Sequence, residues 1–183
     1  MKVKFLGSFF GEFPPPDYPE VVFVGRSNVG KSSLLNMVAG SKVARVSKDP
    51  GRTRAVNYFL LDNKVYLVDV PGYGYAKVKK EEVKGWKDMM EKYFMERKDN
   101  IKMAFLLVDS VVGMQPLDEQ MIEWFEYYGI PYTLVLTKID KATQRDIAKT
   151  LNQAKRFVGD SAVILSSAKE NRGKKELLSR IFD

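Results

Sequence analysis

No cysteine and no histidine occur anywhere in the 183 residues. The first absence excludes disulfides and thiolate metal sites, and the second removes the commonest general base and metal ligand. No apolar run approaches membrane-spanning length, and the opening MKVKFLGSFFGEFPPPDY lacks an apolar core followed by a small-residue cleavage site. With no amphipathic anchor or lipidation signal either, a cytoplasmic protein without a membrane partner is expected. Its chemistry must rest on lysine, hydroxyls, carboxylates, backbone N–H groups or bound ions. That suits phosphoryl transfer, where positioning and charge stabilisation dominate.

What is present is ordinary globular composition, 45% hydrophobic and 29% charged, over a length that fits one well-buried domain. The formal net charge of +7 is unevenly spread. Residues 42–54 hold Lys42, Arg45, Lys48, Arg52 and Arg54 against Asp49 alone, and residues 141–180 hold ten basic residues against four acidic ones. These segments carry +4 and +6, leaving −3 for the remainder. Such patches suit a polyanion, RNA or a phospholipid surface. Charge alone favours the plainer reading that the lysines solvate helix faces.

After a short apolar start and the Phe13-Pro14-Pro15-Pro16 spacer, short apolar runs fall at 21–24, 56–61, 65–70, 101–109, 130–136 and 162–166. Being nearly continuous and rich in β-branched or aromatic residues, they read as buried strands. Asp62-Asn63 predicts a hairpin, and so an antiparallel pair at one edge. Helical patterns occupy about 31–39, 80–97, 117–128, 143–157 and 173–182. This alternation predicts an α/β fold in three layers, a mostly parallel sheet with helices on both faces. Residues 1–20 form an extension packed on a single domain of residues 21–183. Trp86, Met89, Met90, Tyr93 and Phe94, with Met121, Trp124, Phe125 and Tyr128, recur at helical spacing and are read mainly as core. In open sheets of this kind ligands bind beyond the carboxyl ends of the strands, so residues just after each apolar run carry the functional information.

After the first buried run comes Gly25-Arg26-Ser27-Asn28-Val29-Gly30-Lys31-Ser32-Ser33, which fits G-x-x-x-x-G-K-[ST] between a strand and a helix. Backbone N–H groups of such a loop wrap phosphates, the helix N-terminus adds positive potential, Lys31 reaches the terminal phosphates, and the Ser32 hydroxyl offers itself to Mg²⁺. A chance match in a chain this long is on the order of one in a hundred, so phosphate binding outweighs a structural turn. After the strand expected at 65–68, Asp69-Val70-Pro71-Gly72 supplies a carboxylate for Mg²⁺ and a glycine amide for the terminal phosphate. Between them, Pro50-Gly51-Arg52-Thr53-Arg54 holds a threonine hydroxyl that completes the Mg²⁺ shell when a third phosphate is present. A loop ordered by that phosphate is a switch. After the fifth run, Thr137-Lys138-Ile139-Asp140 provides a carboxylate that accepts from guanine N1–H and its exocyclic amino group, where adenine presents an acceptor. Such a site rejects the wrong base by roughly 10⁴ to 10⁵. Ser167-Ala168-Lys169 follows the last run, with the Ala168 amide in line for guanine O6. Lys31, Thr53, Gly72 and Asn28 are the groups expected to act on the reacting phosphate.

"GRSNVGKSSLLN", "PGRTR", "DVPGYGYAKV", "LTKIDK" and "SSAK" together resemble the EngB family of ribosome-biogenesis GTPases, within the translation-factor-related, Ras-like class. The resemblance runs from about Val21 to Ile181. It implies a monomeric P-loop GTPase domain using Mg²⁺, binding GTP and GDP, and assisting maturation of the large ribosomal subunit. Two departures from the general GTPase pattern bear on chemistry. The base-reading motif begins with Thr137 rather than asparagine, leaving a hydroxyl to brace the phosphate loop and implying an affinity on the order of micromolar. Tyr73 follows Gly72 where Ras-like proteins place the glutamine that orients water, so slow intrinsic hydrolysis is expected. Tyr73 and Tyr75 are alternatively packing or partner residues. Asn28 resembles the asparagine with which potassium-stimulated GTPases hold K⁺ beside the phosphates, and equally suits a turn. An ATPase, or a binding module in which hydrolysis is incidental, are the rival readings.

Overall fold

The structure, a computed structural model, describes residues 1–44, 55–74, 80–159 and 163–183. Its apolar runs become strands β2 (Glu20–Gly25), β3 (Val56–Leu61), β4 (Val65–Asp69), β5 (Ile101–Asp109), β6 (Tyr132–Thr137) and β7 (Val163–Leu165). The helical patterns become α1 (Lys31–Ala39), α2 (Lys80–Arg97), α3 (Pro116–Tyr128), α4 (Gln144–Ala154) and α5 (Lys174–Phe182). Local chemistry fixes several boundaries. Pro116 opens α3 behind a reciprocal cap between Gln115 and Asp118, and Thr143 and Asp146 form the same device at α4.

Among the described residues seven strands lie in the order β1-β3-β4-β2-β5-β6-β7, with β1 spanning Val3–Phe9. Every pairing from β4 to β7 is parallel. The expected antiparallel strand is β3, joined to β4 through Asp62 and Asn63, both at φ 52°. The edge beyond β3 is taken by β1, running antiparallel to it. Sequence reading assigned no strand there. The cause is local: β1 is half exposed, and a register shift between Phe5 and Gly7 breaks the two-residue alternation that marks a strand.

Successive residues of β2 point to opposite faces, and both faces are covered. Val21 and Phe23 pack with Leu34, Leu35 and Val38 of α1 and Leu177 and Ile181 of α5. Val22 and Val24 pack with Met90, Tyr93 and Phe94 of α2 and Met121, Ile122 and Phe125 of α3. Double coverage is why the parallel strands read as continuous apolar runs. The aromatic and methionine residues of α2 and α3 divide accordingly: those five are buried, while Trp86, Met89, Trp124 and Tyr128 pack half-buried against the same cluster.

A buried ion pair, Glu20 with Arg97, lies inside this frame. Glu20, at the amino end of β2, is fully buried. Its Oε1 accepts from the hydroxyls of Tyr58 (2.6 Å) and Tyr93 (3.0 Å), and its Oε2 from Arg97 Nε (2.6 Å) and Asn100 Nδ2 (2.7 Å). Arg97 also donates to the Pro14 carbonyl at 2.8 Å, tying the N-terminal segment to α2. A buried ion pair is costly to break because the remaining partner is left uncompensated. Replacing Glu20 with alanine is expected to destabilise by about 3–5 kcal/mol in urea unfolding. Lys92→Ala, which removes the exposed pair with Glu96, should cost less than about 1 kcal/mol; equal losses would contradict the assignment.

Candidate nucleotide site

The strand order reverses about β2, which has β4 on one side and β5 on the other. The loop leaving its carboxyl end is therefore flanked by the loops leaving β4 and β5, the crevice where such sheets take ligands. This loop runs from Gly25 to Lys31. It turns through Asn28 at φ 67° and Gly30 at φ 99°, the second a conformation that favours glycine, and Gly30 then serves as N-cap of α1. A Val29 N–H to Arg26 carbonyl bond of 3.2 Å closes the turn. Lys31 and Ser32 thus occupy the first turn of α1, whose orphan N–H groups and positive dipole end favour an anion.

The Lys31 ammonium forms an ion pair with Asp69 Oδ1, both side chains largely buried. The lysine of the loop and the carboxylate after β4 therefore meet although 38 residues apart. The following segment lies alongside the loop. Ser27 N–H donates to the Tyr73 carbonyl at 2.7 Å, and Tyr73 N–H to the Gly25 carbonyl at 3.3 Å. Gly72 lies close against the loop: a Cβ there would stand 3.1 Å from Ser27 N and 3.2 Å from its Cα, so the loop would have to give way to a side chain. Val70 is buried and Pro71 accepts a 2.9 Å bond from the Trp86 indole.

From the other flank, Thr137 at the end of β6 donates its hydroxyl to the Val29 carbonyl at 2.7 Å. Lys138, at φ 59°, donates to the Asn28 carbonyl at 2.7 Å and pairs with Asp109 Oδ2 at 3.0 Å. Asp140 Oδ1 accepts from the buried Ser167 hydroxyl at 2.9 Å, and Ser167 Oγ accepts from Glu170 N–H at 3.1 Å. The loop after β7 is closed by paired backbone bonds between Ser167 and Arg172, 2.9 and 3.2 Å long, with Ala168 half-buried and Lys169 exposed. Gly25 through Ser33, Asp69 through Gly72, Thr137, Lys138 and Asp140, and Ser167 through Lys169 thus stand at one end of the sheet. Pro50, Gly51, Arg52, Thr53 and Arg54 lie outside the described residues, as does Tyr75.

Sequence reasoning passed over three contributors. Asp109 ends the 101–109 apolar run, the position at which the other strands carried their signals, and it anchors Lys138. Trp86 and Asp118 were hidden in helical patterns. Tyr73 is 6% exposed and donates its phenol to Asp118 Oδ1 at 2.7 Å, which makes it a packed residue. Burial, reinforced by the Asp118 charge, pushes the Tyr73 phenol well above its ordinary range. Burial also pushes the Asp118 carboxyl up, against bonds from the Gln115 amide and Tyr73.

A family model described as "50S ribosome-binding GTPase" matches residues 20–138. Along its whole length the chain is 81% identical to the "Probable GTP-binding protein EngB" of Aquifex aeolicus, all of which is covered. It belongs to the EngB family. Its members are GTP-binding proteins with a GTPase domain, and this chain is accordingly a P-loop GTPase. Among solved structures, a "probable GTP-binding protein engB" superimposes with a TM-score of 0.75 at 30% identity, covering 89% of this chain and 96% of that one. The Era protein, solved with MgGDPNP and nucleotides 1506–1542 of 16S ribosomal RNA, superimposes with a TM-score of 0.68 at 25% identity, covering 90% of this chain and 55% of that one.

Proposed function

We propose that this EngB-family GTPase is a guanine-nucleotide switch whose GTP form docks on the large ribosomal subunit, or its rRNA, during assembly. The observation that carries the switch reading is the bracing of the phosphate loop from both flanks, by Tyr73 on one side and by Thr137 and Lys138 on the other. Bracing through the Asn28 and Val29 carbonyls and the Ser27 amide fixes the loop ahead of α1, whose first-turn N–H groups suit a phosphate. Lys31 meets the terminal phosphates, and Gly72 offers its amide only to a third phosphate.

Mg²⁺ fits the donor set. Among the described residues no three acidic side chains gather into an all-protein cage. Ser32 and Asp69 are hard oxygen donors at one end of the sheet, and a small cation that keeps waters and phosphate oxygens needs few protein ligands. The ion would offset the developing charge on the phosphates, with Thr53 as a further hydroxyl. Tyr73, buried and engaged by Asp118, is not free to orient an attacking water. Intrinsic hydrolysis is therefore slow, and a partner or a monovalent ion supplies what is missing.

Asp140, oriented by Ser167, is the guanine reader of this proposal. Asp140→Asn should weaken GTP binding by at least tenfold in calorimetry and shift preference toward xanthosine triphosphate. Unchanged GTP affinity, or equal competition by ATP in the parent protein, would defeat the assignment. Asn28, exposed and left-handed beside the phosphate loop, is the K⁺ ligand. Turnover should be faster in KCl than in NaCl at equal ionic strength, and Asn28→Ala should remove the difference; matching rates in the parent protein would discard the ion.

The ribosomal partner is supported by the description of the matching family and by charge. Lys141, Arg145, Lys149, Lys155, Arg156 and Lys169 are all exposed, as a surface facing phosphates requires. Ribosomal subunits sedimented with the protein should carry it down with a non-hydrolysable GTP analogue, less with GDP, and progressively less as salt rises. Pelleting indifferent to both nucleotide and salt would argue against a switch docking on rRNA.

A further inference from the structure

Four hydrogen bonds hold the segment Pro71–Gly74: two join it to the phosphate loop, one of them from Tyr73 N–H to the Gly25 carbonyl, and two lie outside that loop. The Ser27 amide holds the Tyr73 carbonyl, the Trp86 indole of α2 holds the Pro71 carbonyl, and the Asp118 carboxylate of α3 holds the Tyr73 hydroxyl. Asp118 is itself fixed, 1% exposed, with its second oxygen accepting from the Gln115 amide at 2.8 Å. The Tyr73 ring packs edge-on against Trp86 at 5.7 Å, and Trp86 stacks on Trp124 at 6.0 Å. Arg26 reaches the same spot: a Cβ on Gly74 would come within 3.0 Å of its Nε, which is buried without a hydrogen-bond partner.

We infer that Asp118 is a positioning residue which, through Tyr73, holds Gly72 beside the phosphate loop, so that α3 sets how strongly this protein prefers a guanosine triphosphate over a diphosphate. The inference rests on the reading that the phosphates lie in the Gly25–Ser32 loop. Gly72 abuts Ser27 and is the amide available to a third phosphate, whereas a diphosphate is held by the loop and Lys31. A contact that fixes Gly72 therefore stabilises one ligand form and is silent to the other, the condition for shifting a two-state equilibrium. A hydrogen bond to a buried carboxylate is strong enough for its loss to be read as roughly tenfold or more in affinity.

The test uses the full chain carrying Trp124→Phe, leaving Trp86 as its one indole, with Tyr73→Phe, Asp118→Ala and both together, plus Asp118→Asn as the conservative replacement. Each single variant should lose roughly tenfold in affinity for a non-hydrolysable GTP analogue and in kcat, with GDP affinity held within about twofold. The double variant should be no worse than either single one, because both remove the same bond. Asp118→Asn, which keeps an acceptor for Gln115 and a donor for the Tyr73 oxygen, should recover part of the loss. Trp86 emission should distinguish GDP from the analogue in the parent and lose that distinction in Tyr73→Phe. Variants that bind GDP normally yet keep the parent's analogue affinity and kcat would overturn the inference, as would losses that add in the double variant. A parent protein that binds neither nucleotide would overturn it differently, by removing the phosphate site on which it depends.

Discussion

Parallel pairing of β2 with β4 on one side and β5 on the other is the constraint from which the site follows. Strands running the same way end at the same edge of the sheet, so the loops after β2, β4, β5, β6 and β7 are delivered together whatever their separation in the chain. Residues 31 and 69 meet for that reason, and so do 29 and 137, or 140 and 167. The side chains then need only short reaches. Burial of both sheet faces supplies the energy that keeps the strands in register, and with it the loop geometry. Activity is thus inherited from a packing arrangement whose contacts lie mostly away from the phosphates.

Polar groups are placed at the two ends of this frame in different ways. At the amino end of β2, Glu20 is enclosed by four donors and contributes order: it ties β3 to α2, and its partner Arg97 reaches on to the N-terminal segment at Pro14. At the carboxyl end, besides contacts to carboxylates, the loops are held at their carbonyls by Thr137, Lys138, Trp86 and Ser27. Loops fixed by a few bonds of modest net strength open more easily than elements fixed by a core. That contrast suits a body that stays rigid while its ligand-facing loops change partners.

Much of this was legible in the residues. The five helices of the described residues fall where the 3.6-residue periodicity put them, and six strands where short apolar runs stood, because double burial writes itself into sequence as hydrophobic pattern. The loop motifs are legible for another reason: close backbone approach and positive φ restrict residue choice, as at Gly30 and Gly72. Two kinds of feature escaped. β1 pairs through its backbone with little buried side chain, so it leaves almost no pattern. The links from Tyr73 to Asp118 and from Pro71 to Trp86 join residues 45 and 15 positions apart, and one chain gives no sign of which polar residues will face each other inside. Asp109 was within reach, since it closes an apolar run as Asp69 does.

The register shift in β1 has a consequence for how copies of this molecule behave beside one another. Without β1, the hydrogen-bonding edge of β3, whose residues are nearly all buried, would lie open as a template for any extended chain. The strand that replaces it as the rim shifts register between Phe5 and Gly7 and carries Lys4, with Lys2 just before its start. An irregular, cationic rim is a poor surface for strand addition. The few residues that contribute least to the interior thereby shield the edge of β3 from pairing with a second copy.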